Sequence, residues 1–364
     1  MHRKVLDLSR VSIVSILVMI GLLGVAAADG NPAVIRIANP GVGIGNRPVV
    51  GGSAWSLLHL QGALEAEFAR DATQVNWTFL RGAGPAVNEL YANGLADVSL
   101  LGDLPSIIGH AGGLETRILA NGGRFNIYVA VPADSPIQSI QELRGKRVAV
   151  FKGTCNQLSF NRILEAYGLA EREVKTINMD SATGKAALIT KDIDALIGGF
   201  ELFELRNQGA AKIIYSTKDQ PQFTCNSTIL ASNDFVTKYP AQVKRILRSY
   251  VRAAKWLVDQ EQNPAEAFRL WTKSGVPFAS FKEDSAGQSL RQTLSPLVDP
   301  YLVARYKNSI GDAKRYGLIR KDFAFEPWVD TSFLAAVLKE EKLENFWPQQ
   351  QPITGQVPKL TASK

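Results

Sequence analysis

Residues 146–164, KRVAVFKGTCNQLSFNRIL, leave few folds open to this chain. Val148, Ala149, Val150 and Phe151 form an apolar run without polar alternation, which predicts a strand covered on both faces. Lys152-Gly153-Thr154 breaks that run, and Phe160, Ile163, Leu164 and Tyr167 then recur at helical spacing. Thr154 stands where an N-cap belongs, and Gly153 permits a tight turn just before it. A strand end, a tight turn and a fresh helix N-terminus aim free N–H groups and a positive dipole end at one point, which suits an anion.

The same succession recurs along the chain. Strands are expected at residues 34–38, 75–80, 96–101, 125–131, 148–151, 174–179, 193–197, 211–215 and 223–231. Residues 75–80 lead to Arg81-Gly82-Ala83-Gly84-Pro85, with Gly84 at the cap and Pro85 at the first helical position. Residues 96–101 close on Gly102-Asp103-Leu104-Pro105, with Asp103 as the cap. Ser53 caps a helix carrying Trp55 in its first turn and Leu57, Leu58, Leu60, Ala63, Leu64 and Phe68 on its inner face. Short helices are expected at 137–143 and at 181–190, the latter capped by Ser181, and Gly198-Gly199-Phe200-Glu201 turns into another. Past Asp234 the pattern is helical, with 241–260 carrying a single apolar stripe that reads as core packing and further helices near 264–273, 282–294, 300–316 and 328–339. Strand–helix alternation of this kind implies parallel, doubly wound sheets, and two sets of it imply two α/β lobes. Ligands of such sheets lie beyond the carboxyl ends of the strands, where the glycine-containing turns fall.

The loop at 39–52, NPGVGIGNRPVVGG, invites a dinucleotide-binding reading that its spacing defeats: G-x-G-x-x-G from Gly41 requires glycine at 46 and finds Asn46. The net charge of +7 is spread over scattered residues without a basic run, so a nucleic-acid partner is not expected. His2, Arg3, Lys4 and Arg10 precede an apolar stretch at 11–28 that ends Val25-Ala26-Ala27-Ala28. This predicts an export signal at 1–28, removed at an A-x-A site, the small residues favouring cleavage over a retained anchor. Export permits a disulfide, but whether Cys155 and Cys225 pair cannot be deduced from sequence. The tail at 348–364, with three prolines and little apolar content, is expected to be disordered.

With these residues in hand, the chain resembles the periplasmic substrate-binding proteins of ABC transporters for sulfonates, taurine and nitrate. The resemblance covers roughly residues 34–339. It rests on the order of Gly84-Pro85, Ala96-Asp97, Gly102-Asp103-Leu104-Pro105, Asp134-Ser135-Pro136-Ile137, Leu143-Arg144-Gly145-Lys146-Arg147-Val148-Ala149, Lys152-Gly153-Thr154 and Asp192-Ile193-Asp194-Ala195. It implies the two-lobed type II periplasmic-binding-protein fold, two doubly wound sheets joined by a two-strand hinge. The first lobe would comprise 29–126 and 228–347, the second 127–227, with crossings near 127–131 and 227–231. It implies a small anionic ligand between the lobes, an aliphatic sulfonate or taurine first, with nitrate, bicarbonate or a pyrimidine-like ligand as alternatives. Carried over residue by residue, the ligand contacts would be Ser53, Trp55, Gly84, Gly102, Asp103, Thr154, Phe200 and Glu201, with at most one of Arg47, Arg81 and Lys152 touching it. The partners implied are an inner-membrane permease and its ATPase; no cofactor, metal or second copy of the chain is implied. This chain departs from its relatives in a longer loop at 39–52 and in Gly-Phe-Glu where many carry Trp-Asp-Pro, both at the cleft mouth.

Some relatives of this fold resemble enzymes, including a desulfinase with a cysteine nucleophile, so Cys155 at a helix start is the residue to weigh. No histidine adjoins it in sequence; His59 and His110 fall in expected helices as structural residues, and no H-E-x-x-H, P-loop or G-x-S-x-G motif is present. A receptor without catalysis is therefore expected, and a purely structural exported protein is the third class, recognisable by a filled cleft.

Overall fold

The computed structural model describes residues 30–353, so the expected export signal and the tail beyond 353 lie outside the described residues. The strands are β1 (Val34–Asn39), β2 (Gln74–Phe79), β3 (Val98–Gly102), β4 (Thr116–Phe125), β5 (Tyr128–Pro132), β6 (Arg147–Val150), β7 (Lys175–Asn178), β8 (Ala195–Gly198), β9 (Ala211–Ser216) and β10 (Cys225–Ser232). The helices are α1 (Ala54–Leu60), α2 (Ala63–Phe68), α3 (Ala83–Ala92), α4 (Asp103–Ala111), α5 (Cys155–Ala166), α6 (Ser181–Ile189) and α7 (Phe203–Asn207), followed by α8 (Asn233–Lys238), α9 (Pro240–Asp259), α10 (Ala265–Trp271), α11 (Phe278–Ser285), α12 (Leu290–Thr293), α13 (Pro300–Arg315) and α14 (Ser332–Glu340).

Two five-stranded sheets result, in the orders β2-β1-β3-β10-β4 and β7-β6-β8-β5-β9. The orders are equivalent, and both sheets are mixed rather than wholly parallel. In the first, β10 runs antiparallel to β3 and β4; in the second, β5 runs antiparallel to β8 and β9. The reason lies in the connectivity. Each of these strands arrives from the other sheet and enters at the carboxyl ends of its neighbours, so it must run against them.

The chain changes sheets between Phe125 and Tyr128 and returns between Ser216 and Cys225. The crossings are thus the links before β5 and β10, a few residues earlier than the stretches expected. The links hold each other: Ile127 N–H donates to Thr217 Oγ1 at 2.8 Å, and Thr217 N–H donates to the Ile127 carbonyl at 3.0 Å.

Periodicity alone missed β4, because TRILANGGRF has a polar, glycine-containing centre without alternation. Its pairing with β10 carries two irregularities, one leaving Gly122 and the other Leu119 without an opposite residue. The helix expected at 137–143 is only a turn at Gln141–Leu143. The Leu-rich helix after Ser53 breaks into α1 and α2 at Gly62, whose φ of 63° closes one helix and starts the next. The helix expected at 282–294 is replaced by α11 and α12, with Gly287 at φ 76° between them. The start of the expected disordered tail is docked: Gln350 N–H donates to Asp299 Oδ2 at 3.0 Å, and the Gln350 carbonyl accepts from Tyr301 N–H.

The long amphipathic helix α9 buries Val243, Ile246, Leu247, Tyr250, Val251, Ala254 and Leu257 against the first sheet, as its stripe requires. The second sheet buries Val148 and Val150 against Phe160, Ile163 and Leu164 of α5. Of the expected structural histidines, His59 packs on Trp77 and Phe79, and His110 stacks on Trp328. No described helix is long and apolar enough to cross a membrane.

Candidate functional site

Parallel strands that end at one edge and continue into helices bring their helix N-termini to that edge. Here β2 leads to α3, β3 to α4, β6 to α5 and β7 to α6. The first residues of these four helices surround one cavity of about 510 Å³, closed on its remaining side by the loop at 40–51, Ser274, Val276 and Phe200. That size falls within the range of small-molecule sites.

Of the residues expected at the site, the cavity brings together Gly84, Gly102, Thr154, Phe200 and Glu201. Gly84 and Gly102 are there for want of space. A Cβ on Gly84 would stand 2.5 Å from the Pro105 ring, and one on Gly102 would stand 3.2 Å from Cys155 Cβ. The N-cap of α3 is Gly82, so Gly84 and Pro85 lie inside the first turn, after Ala83 in the left-handed region at φ 50°.

Thr154 holds the N-cap position of α5 with an extended backbone but does not cap through its side chain. Its hydroxyl donates instead to the Phe151 carbonyl at 2.6 Å, tightening the turn. The neighbouring Gly153 N–H is taken by Gln157 Oε1 at 2.8 Å. Ser181 is not the cap of α6 either; Asp180 Oδ1 accepts from Thr183 N–H at 2.8 Å.

Ser53, Trp55 and Asp103 lie off the cavity lining. Ser53 does cap α1, accepting from Ser56 N–H at 3.0 Å, and that capping box commits it to the fold. Trp55 is fully buried in the first core, edge-on to Trp77 and Tyr250, because its helix turns that face inward.

Asp103 begins α4 and turns its carboxylate into the interior. Oδ1 accepts from Leu104 N–H at 2.8 Å, Oδ2 accepts from Ser309 Oγ at 3.3 Å, and Arg162 and Arg305 each stand 4.0 Å away. Burial pushes the Asp103 carboxyl above its ordinary range, opposed by Arg305 and Arg162. Burial pulls Arg305 down to about 10, with Arg162 adding to it. This cluster ties the two sheets together behind the site. Arg162 of α5 donates to Asp312 at 2.6 Å and to Ser309 at 2.9 Å on α13, while Arg305 donates to the Gln222 and Thr224 carbonyls in the returning link.

Cys155 and Cys225 form a disulfide. It joins the first turn of α5, beyond the second sheet, to the first residue of β10 in the first sheet. Cys155 thereby forms part of the cavity wall with its sulfur already bonded.

Four charged side chains line the cavity, two of each sign. Arg81 Nε donates to Asp180 Oδ2 at 2.9 Å, joining α3 to α6. Lys185 Nζ donates to Glu204 at 3.4 Å. Glu201 Oε1 accepts from Gly199 N–H at 3.1 Å and Ser181 Oγ at 3.3 Å. Burial raises the Asp180 carboxyl, but the Thr183 N–H and the Arg81 guanidinium outweigh it and hold it below its ordinary value. Sequence reasoning missed Asp180 and Lys185 because neither belongs to a glycine-containing turn. Of the three cations singled out, only Arg81 lines the cavity; Arg47 reaches the Lys273 carbonyl, and Lys152 pairs with Glu171.

Arg81 is paired with Asp180 and Lys185 with Glu204, while Glu201 keeps only neutral partners, so the positive ends at the site are those of the helices. Asp103 and Asp180 neutralise the N-termini of α4 and α6, whereas the first turns of α3 and α5 contain no acid. Those two meet: a Cβ on Gly153 would stand 3.0 Å from Pro85. An anionic head placed between them faces two positive helix ends, each worth ~0.3–1 kcal/mol and up to ~2 when partly buried.

Two mixed α/β sheets joined by two crossings, with helix N-termini converging on a cavity between them, define a two-lobed ligand-binding protein of the periplasmic type. The chain belongs to the NMT1/THI5-like family, whose pattern it matches over residues 79–267. It is 30% identical to the periplasmic sulfonate-binding protein SsuA from Methylobacillus flagellatus KT, with a TM-score of 0.74 over 87% of this chain and 97% of that one. Two more distant structures share the fold. The desulfurization enzyme DSZB is 19% identical, with a TM-score of 0.61 over 84% of this chain and 99% of that one. The nitrate-binding protein NrtA from Synechocystis PCC 6803 is 16% identical, with a TM-score of 0.65 over 88% of this chain and 92% of that one. The fold is thus common to receptors and an enzyme, and the site must separate them.

Proposed function

We propose that this chain is an exported receptor that captures a small organic sulfonate between its lobes and delivers it to an ABC importer made of a membrane permease and its ATPase. The observation that carries this reading is the meeting of the acid-free N-termini of α3 and α5 at the cavity, where Gly153 lies against Pro85 and the nearby Arg81 and Asp180 pair with each other. Such a site favours a weakly basic oxyanion head held by N–H groups. The 30% identity to a sulfonate-binding protein supports the same head group. Export rests on residues 1–28, and delivery rests on the relatives.

The receptor performs no catalysis in this reading. The one thiol considered as a nucleophile, Cys155, is bonded to Cys225, and a disulfide sulfur is not a thiolate. Incubation with a bound sulfonate should return it unchanged.

A thermal-shift screen tests the ligand class. A ligand that binds only the native state at a hundred times its Kd adds about 2.7 kcal/mol. Alkanesulfonates should raise the melting temperature, and nitrate, bicarbonate and uracil should leave it unmoved. A shift with nitrate or uracil and none with any sulfonate overturns the proposal.

A further inference from the structure

We infer that the Cys155–Cys225 disulfide is a redox control on the anion site. A dithiol entering the empty cavity opens the bond at Cys155, the thiolate left there takes the positive end of α5 from the ligand, and bound ligand blocks the reaction. This inference rests on the sulfonate reading above and adds a regulation to it. The two sulfurs differ in access. Cys225 is 1% exposed at the start of β10, whereas Cys155 is half-buried and lines the cavity. Gly102 leaves that sulfur uncovered: a Cβ there would stand 3.5 Å from Cys155 Sγ, and Gly102 lines the same cavity. The bond therefore stands at the end of the cavity where Gly153 lies against Pro85 and the starts of α3 and α5 meet. A ligand head held by those helix starts occupies the space through which a thiol approaches Cys155.

The products of opening are provided for. The first thiolate of the dithiol attacks Cys155 Sγ; the S–S bond breaks, and its electron pair leaves on Cys225 Sγ, which takes a proton. The second thiolate of the dithiol then displaces Cys155 from the mixed disulfide, so the dithiol closes to its own disulfide and two electrons have passed to the protein. Cys225 stays buried as a thiol, with Asn156 Oδ1 at 3.4 Å to accept its S–H and Ser159 Oγ 3.9 Å away. Cys155 is released in the first turn of α5, which holds no acid, and a positive helix end favours thiolate over thiol. That is the same helix end that the ligand's anion uses. Oxidised, the sulfur is neutral and the end is free for the ligand; reduced, the end holds its own anion. The helix itself stays docked, since Arg162 donates to Asp312 and Ser309 of α13, so the change is in charge rather than in fold.

Reduction of the native protein by dithiothreitol, followed by mass-spectrometric counting of cysteines labelled with iodoacetamide, tests this. The probe is ethanesulfonate, its Kd taken from calorimetry on the oxidised protein. Since only the empty receptor reacts, ethanesulfonate at ten times its Kd should slow reduction about tenfold, and sodium chloride at equal ionic strength should not. In the reduced, folded protein iodoacetamide should label Cys155 and spare Cys225. The variant Cys225→Ala keeps Cys155 as a free thiolate. The double variant Cys155→Ala/Cys225→Ala also lacks the cross-link but has no thiolate, and it should bind ethanesulfonate at least about tenfold more tightly than Cys225→Ala, because a second negative charge no longer faces the ligand head. If Cys225→Ala fails to fold, the reduced wild type takes its place in that comparison. Ethanesulfonate that binds yet leaves the reduction rate unchanged, or equal affinity of the thiolate form and the double variant, overturns the redox control and leaves the receptor reading intact. Absence of binding by every sulfonate overturns both.

Discussion

Removing the disulfide is the perturbation whose size follows most directly from the chain. Cys155 and Cys225 lie 70 residues apart in sequence. In the chain-entropy account, closing a loop of that length removes about 15 cal/mol/K from the unfolded ensemble, or about 4.4 kcal/mol at 25 °C. Unfolding the roughly 320 described residues releases ~2.1 cal/mol/K each, so the loss should lower the melting temperature by about 6 °C. The Cys155→Ala/Cys225→Ala double variant adds a smaller packing loss, because Cys225 is fully buried. Calorimetry on the oxidised wild type, the reduced wild type and the double variant separates the two effects. The reduced wild type retains both sulfurs and reports loop closure alone. Reductant should bring the wild type close to the variant and leave the variant unchanged. A reduced wild type melting within 1 °C of the oxidised form would show that loop closure contributes little here and refute the calculation. Two free thiols in the untreated protein would refute the pairing itself.

Gly84→Ala should cost about 1–3 kcal/mol in chemical denaturation and weaken ligand binding, since its Cβ meets the rigid Pro105 ring and must separate the starts of α3 and α4. Arg162→Leu leaves Asp312 with Arg315 alone and Asp103 with Arg305 alone, and should cost about 1–3 kcal/mol; a loss below 1 kcal/mol would mean the cluster does not hold α5 to α13. Asp180 has a lowered pKa in the fold, so its contribution is present above the ordinary aspartate value and is lost as pH falls through the folded value. Because Arg81 is 55% exposed, the contribution is at most about 1 kcal/mol; Asp180→Asn should remove it and flatten the acid limb of stability against pH, and an unchanged limb would assign that dependence elsewhere.

Much of the architecture could be read from the chain because it depends on local pattern. The apolar run at 148–151 became β6 and the turn after it, and the stripe at 241–260 became α9. The strand β4 escaped notice because its glycines are accommodated by an irregular pairing with a strand about a hundred residues later. The same limit applies to the site. Gly84, Gly102 and Thr154 could be placed at the cavity from the succession of strand, turn and helix alone. Phe200 and Glu201 follow the expected turn at Gly198-Gly199, and their place at the site came from the resemblance. Asp103 carried the same local signal as the true caps and was turned inward by Arg162, Arg305 and Ser309, which lie 59, 202 and 206 residues further along.

By itself, then, the sequence determined that this chain makes strand–turn–helix units in two sets and that several helix starts meet beyond the strand ends. Period, turn residues and capping chemistry act within a few residues of one another, so they can be read in order. The tertiary structure decided the rest. It set which side chain at each turn faces the cavity, that α3 and α5 bring acid-free helix starts to it, and that the two cysteines pair. Each of these follows from packing between residues distant in sequence, where space and partner charge outweigh local preference.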